Sequence, residues 1–165
     1  MSVLNKIHDV IMKVLGVSTV VIFAFMTVVG TYQIVTRYAF NRPSTVSEEL
    51  LTYSFAWMAL LASAYVFGKN DHMRMSFLAD KVKGNAKIAM EILIQFFCFA
   101  FAAVVMVYGG VSITKLTMTQ VTASLQIPMG YVYFMVPVSG ILIMYFSLLN
   151  ALNTLTGHEN RQEVQ

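Results

Sequence analysis

The sequence predicts an all-α integral membrane protein with four transmembrane helices, and three observations carry that reading. Asp, Glu, Lys and Arg are absent from Val14 to Thr36, from Leu50 to Gly68 and from Ile92 to Thr114, runs of 23, 19 and 23 residues, and again from Leu116 to His158. A helix crossing the ~30 Å hydrocarbon core needs about 20 mostly apolar residues. Hydrophobic residues make up 58% of the chain against 12% charged, with a mean hydropathy of +0.69; a water-soluble helix would keep one face solvated and so interrupt such runs. Positive charge is also one-sided. Eight of the 11 Lys and Arg residues lie before span one, between spans two and three, or after span four, and only Arg37, Arg42 and Lys115 fall on the other side. By the positive-inside rule both termini and the middle loop are cytoplasmic.

The elements follow in order. Val3, Leu4, Ile7, Val10, Ile11 and Val14 recur at helical spacing opposite Lys6, Asp9 and Lys13. That pattern fits either a short amphipathic helix on the inner membrane surface or the wet first turns of span one. Span one, about 14–36, is too long for the h-region of a cleaved signal peptide. It is expected to stay attached and to serve as the insertion signal. Its far end carries Tyr32, Gln33, Arg37 and Tyr38, an aromatic belt with a basic residue near a helix C-terminus.

The loop Ala39–Ser44 contains Asn41, Arg42 and Pro43, which is turn chemistry. Thr45-Val-Ser47-Glu48 fits a capping box, and Glu48 and Glu49 complement the positive end of a helix dipole. Span two, about 50–68, contains Trp57 and the small pair Ala59 and Ser63, which would let another helix approach closely. The middle loop, 69–91, mixes Met73, Met75, Phe77, Leu78 and Val82 among its charges and could be interfacial or re-entrant. Span three occupies about 92–114. Lys115–Gln126 is Thr-rich and is expected outside or at the surface. Pro128 suits the first turn of the last helix. Pro137 should kink that helix or mark where an interfacial piece turns into span four, about 130–153. A polar tail runs from 156 to 165, and the whole chain reads as a single four-helix domain.

Function is constrained mostly by which side chains the spans hold. Ion-coupled transport through a chain needs an ionisable group or a broken helix at mid-membrane depth. The interiors of the predicted spans offer only Thr, Ser, Gln95, Asn150 and tyrosine hydroxyls. A haem bundle would need facing histidines within the bilayer, yet His8, His72 and His158 all fall outside the spans. The single cysteine, Cys98, cannot form an intrachain disulfide and reads as a small apolar filler. No catalytic, cofactor or metal site is expected, and the positive net charge is read as membrane orientation rather than nucleic-acid binding. Arg37, Glu48 and Glu49 meet at the outer rim. They either cap two helices, or form an Arg–Glu pair that fixes the angle between spans one and two. His72, beside Asp71 and Arg74, reads as a surface histidine.

Gln33-Ile-Val-Thr-Arg37-Tyr38-Ala-Phe40-Asn41-Arg-Pro43, followed by Ser47-Glu48-Glu49 and Trp57, resembles the signature of the small membrane subunit of TRAP transporters, the DctQ type of the tripartite ATP-independent periplasmic transporters. The resemblance continues through His72-Met-Arg-Met-Ser-Phe-Leu, Leu125-Gln-Ile127-Pro128-Met129 and Pro137, and so covers about residues 33–137. Val46 stands where the family often has Trp, and Ser76 where an acidic residue often follows the histidine. The resemblance implies a non-enzymatic subunit of the bacterial inner membrane. Its partners would be a large DctM-type subunit that carries the substrate and sodium sites, a periplasmic binding protein, and lipid. The cargo would be an organic acid of the sialic acid or C4-dicarboxylate class. Arg42 and Lys115, on the two outward segments, are the expected binding-protein contacts. The alternative is a self-standing homo-oligomeric channel or an assembly factor.

Overall fold

A computed structural model of the chain describes residues 2–69 and 85–155. His72, most of the middle loop and the tail from 156 lie outside the described residues. Helix α1 runs Ser2–Tyr38 and α2 runs Thr45–Gly68. Helix α3, Asn85–Phe101, continues into a π-helical segment, Ala102–Gly109, and then α4, Gly110–Thr117. A short α5, Gly130–Tyr133, precedes α6, Met135–Leu155. Four stretches are long and apolar enough to cross a membrane: Lys6–Tyr38, Thr45–Gly68, Ile92–Thr117 and Gly130–Leu152. Among the described residues there is no β-strand, only one isolated bridge between Val121 and Pro128.

The N-terminal amphipathic pattern belongs to α1 itself, so it is the wet beginning of span one and not a separate surface helix. The third span also runs past its expected end, because Lys115 sits in the last turn of α4. A basic side chain there faces the negative end of the helix dipole and does not break the helix.

The spans form an open row. Helix α1 packs mainly along α2, α2 along α6, and α6 along α3 and the π segment. The spatial order is therefore one, two, four, three. Spans two and four run parallel, since the start of α2 meets residues 124–132 while its end meets Asn150. Span four is the centre of the row. One third of its residues (33%) are buried, against 6% in spans one and three. The core is Leu15, Leu61, Ala64, Ala102, Ile143 and Phe146. Val20, Val28 and Phe96 point outward, which would be unfavourable in water by about 25 cal/mol per Å² of apolar surface but is favourable in lipid.

The π segment and the start of α4 cross α6 closely. A Cβ at Gly140 would come within 2.7 Å of the Met106 Cβ, and one at Gly110 within 2.9 Å of the Pro137 Cδ. Only hydrogen at these two positions allows the backbones to approach so closely.

Most hydroxyls within the spans are satisfied locally, the buried Tyr145 hydroxyl being without a partner among the described residues. Thr19, Thr27, Thr31, Ser63, Ser112 and Thr114 each donate to the carbonyl four residues earlier, the usual way a hydroxyl is accommodated in a lipid-facing helix. Between spans, Ser147 donates to the carbonyl and side-chain oxygens of Gln95, at 3.0 and 2.7 Å. The last carbonyls of α2 are met from both neighbours. His8 Nε2 lies 3.2 Å from the Gly68 oxygen, and Asn150 Nδ2 donates to the Phe67 oxygen at 3.1 Å. Helix C-termini leave such carbonyls without intrahelical partners.

Candidate functional site

The end of the molecule where α1 stops, α2 starts and residues 118–134 fold over holds most of the sequence-predicted residues. Helix α1 closes with Ala39 N–H donating to the Val35 carbonyl at 2.8 Å and Arg42 N–H to the Thr36 carbonyl at 3.1 Å. That reversal needs a left-handed residue, and Asn41 supplies it with φ 49°. Asn tolerates this conformation better than other residues with a Cβ. Pro43 then holds Arg42 to extended backbone and delivers Ser44 as the N-cap of α2.

The cap is displaced by one residue from the sequence expectation. Ser44, with φ −101° and ψ 107°, accepts the Ser47 N–H at 3.3 Å and the Ser47 hydroxyl at 3.0 Å. Thr45 and Glu48 therefore form no capping box. Ser44 and Thr45 are equally competent caps in sequence, and Pro43 decides between them by fixing the chain just before Ser44. Ser47 is buried by this role, while Glu48 stays exposed.

Glu49 has a different partner from the one expected. Its carboxylate accepts Ser124 N–H at 3.1 and 3.2 Å and Leu125 N–H at 2.8 Å. Among the described residues the one contact of ion-pair length is between the His8 imidazole and the Asp9 carboxylate, at 3.6 Å, so Arg37 pairs with neither glutamate. Its guanidinium lies 6.0 Å from the centroid of the neighbouring Tyr38 ring. The angle between spans one and two is therefore not set by an Arg–Glu pair. Glu49 instead ties α2 to a loop 75 residues away.

That loop is a small hairpin. Thr122 N–H donates to the Ile127 carbonyl at 2.9 Å, and Met129 N–H to the Gln120 carbonyl at 2.8 Å. These bonds flank Val121 and Pro128, so the bridged pair is one that exchanges no hydrogen bond of its own, and the missing N–H of Pro128 costs nothing. Pro128 thus sits in the bridge, two residues before α5, and not in the first turn of the last helix. Gln126, at φ 56°, turns the tip, and its amide donates to the Ala123 carbonyl. The tip's outward N–H groups at 124 and 125 would lack partners without the Glu49 carboxylate.

Two turns further along the same face of α2, the Trp57 indole N–H donates to the Val132 carbonyl at 3.0 Å. Val132 lies in α5, just before the helix breaks at Phe134. Pro137 enforces that break, because it has no N–H for the Tyr133 carbonyl. Pro137 is buried in the first turn of α6. Glu49 and Trp57 thus hold both ends of one connection, the hairpin and the short helix after it.

A family model described as "Tripartite ATP-independent periplasmic transporters, DctQ component" matches residues 26–157. The chain belongs to the DctQ family. A protein of Haemophilus influenzae, named as a candidate TRAP transporter small permease, is 24% identical over 156 residues, covering 92% of this chain and 94% of the relative. The sialic acid TRAP transporter small permease protein SiaQ of Vibrio cholerae serotype O1 is 24% identical over 152 residues, covering 92% of this chain and 87% of the relative. The DctQ family is a transporter component and not an enzyme, and with four apolar spans the chain is a multi-pass inner membrane protein.

In this DctQ chain the matched region contains the whole clamp. Arg37, Arg42 and Lys115 are exposed around it. Arg42 also lines a cleft of about 680 Å³ with Tyr32, Thr36, Phe40, Pro43 and Ser44. Among the described residues, no three His, Cys, Asp or Glu side chains converge as metal ligands would. The Glu49 contact to 124–125 and the Trp57 contact to 132 were not assigned from sequence. Their only sequence trace is the i, i+8 spacing of Glu49 and Trp57 on one helix face.

Proposed function

We propose that the chain is the non-catalytic small subunit of a sodium-coupled, binding-protein-dependent transporter for organic acids. In this reading it braces the scaffold of a large DctM-type subunit, which holds the substrate and sodium sites. Its rim faces the periplasm, both termini face the cytoplasm, and the rim helps to dock the periplasmic binding protein. The observation that carries the reading is the Glu49–Trp57 clamp, which holds a hairpin in fixed register beside three exposed cations. A surface that receives a soluble partner repeatedly gains from being preorganised. The lipid-facing row suits a brace, since the hydroxyls of Thr19, Thr27, Thr31 and Ser63 are committed to their own backbones and Ala59 and Ser63 remain exposed for a partner helix. The cargo class follows the sialic acid named for the Vibrio relative, with C4-dicarboxylates as the neighbouring chemistry.

The test is co-expression with a DctM-type large subunit and a periplasmic binding protein of the same organism, followed by purification and reconstitution. A stable complex is expected, with sodium-driven uptake of an organic acid only when all three components are present. Uptake by this chain alone, or failure to co-purify with the large subunit, would overturn the proposal.

A further inference from the structure

An apolar groove runs along the outside of the α1–α2 pair, away from the rim. Met12, Gly16, Val17, Val20 and Val21 line it from α1, and Ala62, Tyr65 and Val66 from α2, enclosing about 570 Å³. Gly16 and Ala62 are what open it, since larger side chains there would fill the crease. From Met12 to Val21 the groove is about 14 Å long at 1.5 Å per residue, long enough for most of an extended acyl chain. One end is cationic. Lys13 itself lines the groove, and the Lys69 ammonium sits 4.9 Å from the centroid of the Tyr65 ring that forms its wall. Among the described residues neither ammonium has a carboxylate within ion-pair distance. The nearby Asp9 is in contact with His8. Both lysines are exposed at the edge of their spans, where long basic side chains reach lipid headgroups.

The geometry points to a binding site for one anionic phospholipid, its acyl chain in the groove and its phosphate on Lys13 and Lys69. A partner helix fits less well. Helix packing needs a face some 8–10 Å from axis to axis with interdigitating ridges, whereas this crease is opened by Gly16 and Ala62 and ends in two positive charges. Tyr65 serves both parts of the site, as an apolar wall for the chain and as the ring under the Lys69 ammonium.

The site is testable on the assembled transporter, and assembly is scored separately, so failure of the lipid site is distinguishable from failure of the subunit reading on which it rests. The complex is purified in mild detergent, incubated with phosphatidylglycerol or phosphatidylcholine of matched chains, and bound lipid is counted on this subunit by native mass spectrometry. Phosphatidylglycerol retention at least threefold above phosphatidylcholine is expected. The double variant Lys13→Gln with Lys69→Gln is expected to abolish that preference. Val20→Trp, at an exposed position that fills the groove, is expected to remove both lipids while the complex still assembles. Equal retention of the two lipids by the parent complex would overturn the proposal, as would full retention by Val20→Trp. Loss of the large subunit from Val20→Trp with lipid retention unchanged would instead assign the groove to a partner helix.

Discussion

The Glu49 carboxylate and the Leu125 backbone N–H, 76 residues apart, meet at 2.8 Å. A second N–H from Ser124 shares the same carboxylate, so a single side chain at the start of span two fixes the tip of the hairpin between spans three and four. Hydrogen bonds to an ionised acceptor are shorter and stronger than neutral ones. Glu49→Ala should therefore raise amide exchange at residues 124 and 125 by roughly tenfold or more in the assembled complex, with the helical spans unaffected. Glu49→Gln, which keeps one acceptor oxygen, should fall between. Unchanged exchange at both amides in Glu49→Ala would show that the hairpin holds itself.

Trp57→Phe keeps the ring and removes the donor to Val132. One hydrogen bond of this kind contributes about 1 kcal/mol, so the thermal midpoint of the complex should fall by a few degrees. Trp57→Tyr, whose hydroxyl points elsewhere, should not restore it. A midpoint identical to the parent in Trp57→Phe would mean that the indole N–H contributes nothing.

The cap assignment separates two adjacent residues. Ser44→Ala should lower stability by about 1 kcal/mol, the usual cost of losing an N-cap hydroxyl. Thr45→Ala, one residue on and exposed, should be near neutral. The reverse order, measured by thermal or chemical unfolding in one detergent, would restore the sequence-based capping box.

Gly140→Ala places a methyl group 2.7 Å from the Met106 Cβ. Overpacking of this kind costs about 1–3 kcal/mol when the backbone cannot withdraw. Ser139→Ala, next to it, removes a hydroxyl that bonds the Val136 carbonyl within its own helix and should cost less. Equal stability of Gly140→Ala and the parent would show that the π segment yields easily.

Docking is read from charge reversal. Arg42→Glu and Lys115→Glu should each weaken binding-protein-dependent uptake several-fold at low salt and less at high salt, because rim charges act mainly through association rate. Each variant should still co-purify with the large subunit. Uptake that matches the parent at low salt in both variants would remove these residues from the docking surface.

The spans were legible because charge is excluded from lipid whatever the tertiary arrangement, so residues such as Lys13, Arg37, Glu49 and Lys69 bracket them directly. Their order in space was not legible. Helices that are apolar all round carry no stripe to say which face meets which neighbour, and nothing in the sequence marks spans two and four as adjacent. The Glu49 contact escaped for a related reason. Arg42 and Arg37 are its nearest opposite charges along the chain, whereas its actual partners are backbone N–H groups, which no residue type advertises. Pro128 was misplaced because a proline before an apolar run suits a helix start, and only the pairing of Val121 shows that it belongs to a bridge. The break implied by Pro137 was readable, since a missing N–H has the same consequence in any fold.

The parallel adjacency of α2 and α6 has a consequence for biosynthesis. Apart from His8 of span one, the hydrogen-bonding groups that hold span two from outside its own helix, at Leu125, Val132 and Asn150, are encoded 76, 75 and 83 residues after their partners. When the ribosome releases span two into the bilayer, none of these groups yet exists. Span two must wait beside span one through the whole synthesis of span three, and gains its other neighbour only when the last helix inserts between spans two and three. A chain truncated after span three would keep every residue of the Arg37–Glu49 signature and the His8 contact, and would lose the three later groups, leaving a helical hairpin with its own cap and no neighbour beyond span one.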